Sequence, residues 1–405
     1  MDTVTHGIVG ALIGKAFFAE DQGRRAPSWR ERPNTPARVA VISATLGAIF
    51  PDIDVFAGPI AHNSLAIIEW HRNITHSLIM LPVWALVLAL LTSWLAARIR
   101  WPAPSLNQLA LIYAAGLASH IFLDLITSFG TMVWSPLDYA RPAWDWLFII
   151  DLTLTSLALV PQLAAWAFRR PDGAARRAAT IWAALSATAF VVAPLVRWLQ
   201  VPFPTVGAVA ASLVFAGFLL LPLRRGIGTR VGREKWCRIG FALVAGYLSF
   251  AGGLHHVAIQ RLTEFADEQH LPYQSIAAMP LPPSAARWAG LIATSEGVYR
   301  VEFNQFGEDP VKIQYFEDPA PNRYLAAARE LPDTRKFLWF ARFPVSRYFE
   351  RDGQPVVQIT DLRFYGAIPQ PLQSRTNATP YGGFTFEVVF SPDGRVLSDH
   401  WLRPE

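Results

Sequence analysis

LNQLALIYAAGLASHIFLDLITS, Leu106–Ser128, is the stretch that decides the fold. Its imidazole and carboxylate side chains are His120 and Asp124, and both sit near its C-terminal end. An α-helix needs about 20 apolar residues to cross a bilayer, so this run predicts a membrane span. Comparable runs lie on either side of it. They are Val39–Phe56, Ser77–Ala97, Trp146–Phe168, Ala178–Trp198, Val206–Leu223 and Cys237–Ile259. His6–Phe18 is shorter and amphipathic, with no basic segment before it and no small-residue cleavage site after it. It reads as a retained helix dipping into the membrane rather than a signal peptide. The fold class expected is an all-α polytopic membrane bundle of about seven spans plus this short helix.

Composition agrees. Of the 405 residues, 52% are hydrophobic and only 17% charged, against about a quarter charged in ordinary soluble chains. The mean hydropathy of +0.25 points the same way. A single Cys excludes a disulfide framework and a Cys-built zinc site. The formal charge of +5 invites a nucleic-acid reading. The arginines, however, cluster between apolar runs, and the chain carries no nucleic-acid module, so no nucleic-acid partner is expected.

The same arginines predict orientation. Basic connections follow alternate spans: Arg24 to Arg38, Arg98 with Arg100, Arg169 to Arg177, and Arg224 to Arg238. Such connections face the cytoplasm. The remaining ones, and everything after about His255, then face outward. From about Arg261 the pattern changes to period-2 alternation, as in Val298–Phe303 and Val356–Tyr365, while Tyr324–Phe349 reads as more helical. Phe384–Phe390, Pro392-Asp-Gly and Arg395-Val-Leu read as a hairpin. The expected organisation is a helical membrane domain over 1–260 and a small periplasmic α+β domain over 261–405.

Ionisable residues in or beside spans are costly, and each is a functional hypothesis. On this topology His6, Asp52, Asp54, His71, His76, His120, Asp124, Asp145 and Asp151 all fall at the outer level. Imidazole and carboxylate donors without thiolate suit zinc, manganese or iron. His120 and Asp124, four apart, share one helix face. His71 and His76, five apart, need a bend, which Asn73 or Thr75 can supply, with Thr75 capping a helix that starts near His76. His6, Asp52, Asp54, His71, His76, His120 and Asp124 are therefore the candidate ligands of one or two divalent ions, zinc first and manganese second. Asp151 is the candidate general base. Arg72 either clamps a phosphate or lies at the headgroup level. The bland readings are interhelical hydrogen bonding without metal for the His/Asp group and an N-cap for Asp2.

Read together, Met1-Asp-Thr-Val-Thr-His-Gly, Phe50-Pro-Asp-Ile-Asp, His71-Arg-Asn-Ile-Thr-His-Ser and the run from Ser119-His to Phe129-Gly-Thr resemble the YdjM-like membrane-bound metal-dependent hydrolases of bacterial inner membranes. The likeness covers about Met1–Phe168. Asn73 stands where a Gly is common in that element. The resemblance implies an inner-membrane protein with a His/Asp metal centre and hydrolytic activity, and makes the seven candidate ligands counterparts of the family's polar residues. With the site at the outer leaflet, the expected substrate is a lipid or lipid-linked ester or phosphoester. A non-catalytic regulatory or structural protein and a metal or proton transporter are the alternatives. The polar residues crowd toward one face, which argues against a path through the bilayer.

Overall fold

A computed structural model of the chain describes residues 1–19, 36–61, 65–198, 205–282, 285–306, 312–365 and 384–402. Arg24, Arg25, Arg30 and Arg32, part of the first basic connection, lie outside them. The chain forms two compact units. One comprises Met1–Ile53, Arg72–Ala143 and Ile149–Phe250. The other comprises Asp54–His71, Trp144–Phe148 and Ala251–Glu405.

The first unit is helical. Its principal helices are α1 (Thr3–Ile13), α2 (Pro36–Ile49), α3 (Leu81–Arg98), α4 (Leu106–Leu125), α5 (Leu152–Ala167), α6 (Ala174–Trp198), α7 (Thr205–Leu220) and the first half of α8 (Arg233–Glu268). Among the described residues six helical segments are long and apolar enough to cross a membrane: Pro36–Phe56, Leu81–Arg98, Leu106–Leu125, Ala174–Pro194, Val206–Arg230 and Arg233–Glu268. Each matches an expected span. The seventh expected span, Trp146–Phe168, is helical only from Leu152 to Ala167. Asp151 caps that helix through the Leu154 amide at 2.7 Å, and the apolar residues before it do not join the helix. Sixteen residues rise about 24 Å, short of a hydrocarbon core about 30 Å thick. The helix expected near His76 begins instead at Leu81, with Pro in its first turn, because Ser77 Oγ accepts from the Ile79 and Met80 amides and holds a turn ahead of it.

Small residues bring α1, α2 and α4 together. A Cβ on Gly10 would lie 2.5 Å from Ala48 Cβ, and one on Gly116 would lie 2.6 Å from the Ala44 carbonyl oxygen. Membrane helices associate through such contacts, because lipid provides no hydrophobic drive between them. Helices α1 and α5 run in the same direction. Thr5 meets Thr155 at 2.8 Å near their starts, and Lys15 meets Gln162 at 2.8 Å further along. Gly240 of α8 sits against Pro161 and Leu12.

The second unit carries two four-stranded antiparallel meanders, both in sequential order. The first is β1 (Ser275–Pro280), β2 (Arg287–Ala293), β3 (Gly297–Asn304) and β4 (Lys312–Glu317). The second is β5 (Pro344–Arg351), β6 (Gln354–Asp361), β7 (Thr385–Phe390) and β8 (Val396–Leu402). The expected hairpin is β7–β8, with Phe390 opposite Val396. The helical expectation for Tyr324–Phe349 is met by α9 (Arg323–Glu330) and α10 (Pro332–Phe340), but Pro344–Arg351 is a strand. Its Val345, Tyr348 and Phe349 favour extended pairing with β6. One apolar core joins residues of both meanders, among them Met279, Leu291, Val298, Phe316, Phe343, Val345 and Leu362.

Candidate metal centre

Helix α1 starts at a cap. Asp2 accepts from the Thr5 amide at 2.9 Å and from its hydroxyl at 2.7 Å, so this carboxylate is an N-cap. His6 lies one turn on, fully buried, with its ring stacked on His120 at 3.7 Å. Asp52 belongs to a 3₁₀ segment, Phe50–Phe56, that follows α2. His76 ends a second 3₁₀ turn, Ile74–His76. His120 and Asp124 project from one face of α4, as their spacing predicts.

Four of these side chains converge. Asp52, His76, His120 and Asp124 each offer a ligand atom within 4.8 Å of the others. His76 Nε2 is 3.0 Å from His120 Nε2 and 3.2 Å from Asp124 Oδ2. His120 Nε2 is 3.4 Å from Asp124 Oδ2, and Asp52 Oδ1 stands 3.5 Å from His120 and 3.7 Å from His76. A tetrahedral ion with bonds of about 2.0–2.2 Å requires donor–donor edges of about 3.3–3.6 Å. The observed edges bracket that value.

Hydrogen bonding decides which atoms face inward. His120 Nδ1 is 2.6 Å from the Ala48 carbonyl oxygen. A carbonyl only accepts, so Nδ1 carries the proton and donates, and Nε2 presents its lone pair. Asp52 Oδ2 accepts from Thr3 Oγ1 at 2.5 Å, which leaves Oδ1 toward the histidines. Asp124 Oδ1 accepts from Arg72 Nη2 at 2.9 Å and from the Met1 amine, and lies 3.2 Å from His6 Nε2. Asp124 Oδ2 is buried and receives no hydrogen bond from the described residues. A buried carboxylate oxygen beside an imidazole lone pair is costly without a cation. The donor set thus fits a divalent ion.

Arg72 lies inside this assembly. Its φ is 61°, its carbonyl accepts from the Met132 amide, and its guanidinium also donates to Thr127 Oγ1 at 2.8 Å and stacks on Phe129. The bend between His71 and His76 is therefore made at Arg72, in the left-handed region, rather than at Asn73 or Thr75. Asp54 and His71 pair with each other at 2.7 Å in the second unit. Asp151, the expected base, accepts from the Leu154 amide and from Tyr247 Oη at 2.8 Å, and does not belong to the four-residue group. Asp138 accepts from the Ala140 amide, and Asp145 is bound by Arg342 at 2.9 and 3.1 Å. Sequence reasoning missed the Ala48 carbonyl, for which no residue type is a signal, and Thr3, whose hydroxyl sits three residues before His6.

A set of His and Asp donors, gathered at the ends of membrane-length helices, defines a polytopic membrane protein with a candidate metal centre. The YdjM inner membrane protein family matches residues 1–201, so this part of the chain is similar to that family. All four converging donors lie within the matched region. No curated protein and no solved structure matches the chain.

Proposed function

We propose that Asp52, His76, His120 and Asp124 hold one divalent ion, zinc by donor set and manganese as the second choice, and that the protein hydrolyses an ester or phosphoester of a membrane lipid. The observation that carries this reading is the inward-facing pair of His Nε2 atoms and carboxylate oxygens, with His120 locked by Ala48. An ion held there supplies Lewis acidity toward an ester or phosphoryl oxygen and acidifies water. Arg72 and His6 hold Asp124 in place. Asp52 gives the direction of approach. Its side chain keeps 12% exposure, whereas those of His76, His120 and Asp124 keep none. Val4 and Ile53, exposed at 69% and 55%, neighbour Thr3 and Asp52 along the chain. A polar centre that opens beside apolar side chains suits a substrate arriving from lipid. The arginine pattern supports an outer-leaflet centre and a periplasmic C-terminal unit.

A second reading is a structural ion that pins the helices together, favoured by the full burial of three of the four donors. One purification separates the two. Elemental analysis of detergent-solubilised protein should give about one zinc or manganese per chain, and His120→Ala should lose it. Metal-loaded wild type should turn over phospholipid or acyl ester in mixed micelles, and His120→Ala should not. Bound metal that raises the melting temperature while every ester stays intact would favour the structural ion. Absence of metal after metal-supplemented purification would end both readings.

A further inference from the structure

Away from the His/Asp centre, α1 passes into a π-helical turn, Gly14–Phe18, and Lys15 projects from it into a cleft of about 380 Å³. The rest of the lining is Leu159, Gln162, Leu163 and Trp166 of α5 and Ile181 of α6, so it is apolar apart from the amine and one amide. That amide is oriented. Gln162 Nε2 donates to the Ala158 and Ile8 carbonyls at 2.8 and 3.0 Å, which turns its oxygen to accept from Lys15 Nζ at 2.8 Å. Among the described residues the ammonium makes no other hydrogen bond, and an ammonium has three N–H groups. Trp166 is 46% exposed, and the Arg169 guanidinium lies 4.6 Å from its ring centre. The π-helical turn at the end of α1 packs through Gly14 on Val41 and Ala44 of α2, while Lys15 lines the cleft, and π-helical turns are frequent at functional sites.

We propose that this cleft binds one anionic phospholipid. The phosphoryl group would accept from Lys15, Arg169 would add a second cation at the mouth, and an acyl chain would lie along Leu159, Leu163 and Ile181. Lysine and arginine are the ordinary partners of phosphate, and an aromatic–arginine pair at a membrane helix end sits at headgroup depth. The dimensions fit part of one chain rather than a whole lipid, so the remainder stays in the bilayer. The cleft is separate from the hydrolytic reading and does not depend on it.

The test is native mass spectrometry of the full chain released from nanodiscs, with phosphatidylglycerol and phosphatidylcholine compared at equal mole fraction. One retained phosphatidylglycerol is expected, and phosphatidylcholine should be lost at the same collision energy. Lys15→Met should weaken retention about tenfold, the size of one lost charge-assisted hydrogen bond. Lys15→Arg should keep most of it. If Lys15→Met does not fold, Ile181→Trp decides, because it fills the cleft and leaves the cation in place; it should abolish retention with an unchanged melting temperature. Equal retention of both lipids, retention unaffected by Ile181→Trp, or displacement of the lipid by inorganic phosphate alone would each overturn the proposal.

Discussion

Asp124 shows how one side chain organises the centre. Its Oδ1 is held by Arg72 and His6, which turns Oδ2 toward His76 and His120. Arg72→Lys keeps the charge but loses the planar fork that also reaches Thr127. Groups that orient metal ligands typically contribute about 10- to 100-fold in affinity. Zinc affinity measured by competition with a chelator should fall by that order in Arg72→Lys, while the helical circular dichroism stays unchanged. The ligand types and the His120/Asp124 spacing were legible from residue order. That Arg72 serves Asp124, and that Asp54 turns to His71, were not. Both depend on backbone angles at the Asp52-Ile-Asp54 and His71–His76 bends, which residue types leave open.

Helix packing sets the distances within the centre. Gly116 lies one turn before His120 and faces the Ala44 carbonyl across α2. Gly116→Val would force those helices apart. Overpacking of this kind costs about 1–3 kcal/mol, and here it also moves His120 away from Ala48 and Asp52. The expected result is a lower melting temperature in detergent together with loss of bound metal. A variant that melts early but keeps its full metal content would show that the centre tolerates helix separation. Apolar run length foretold six long helices, because lipid demands that length. It misjudged α5, where a capping aspartate starts the helix late. It also said little about β1, β2 and β4, whose strands lack a clear period of two, as the almost wholly buried pattern of β2 illustrates.

At the scale of the whole chain, the second unit has its own electrostatic support. Burial pushes the Glu387 carboxyl up, but hydrogen bonds from Arg351 at 2.7 Å and Gln358 at 2.8 Å outweigh this and hold it below the usual glutamate range. A lowered carboxyl value adds stability that is complete above the unfolded value of about 4.3 and is lost as pH falls through the folded one. Hydrogen exchange in β6 and β7, corrected for intrinsic rates, should therefore show protection that holds down to about pH 4.5 and falls below it, over about pH 4 to 3, in wild type. Glu387→Gln should start lower and change less over that window. The alternating strands β3, β6 and β7 announced a mixed unit from sequence. Beyond the β7–β8 hairpin its pairing order did not show there, since a meander is fixed by turns of mixed composition.

The four converging donors are spread between Asp52 and Asp124 in chain order, and the last of them lies at the end of the third long apolar segment. A nascent chain therefore has no complete coordination shell until that segment has left the translocon and docked on its predecessors. On the metal-binding reading proposed above, capture of an ion waits for α4 although most of the chain is made after it, and a chain stalled before α4 emerges would display carboxylates and imidazoles that no ion can hold together.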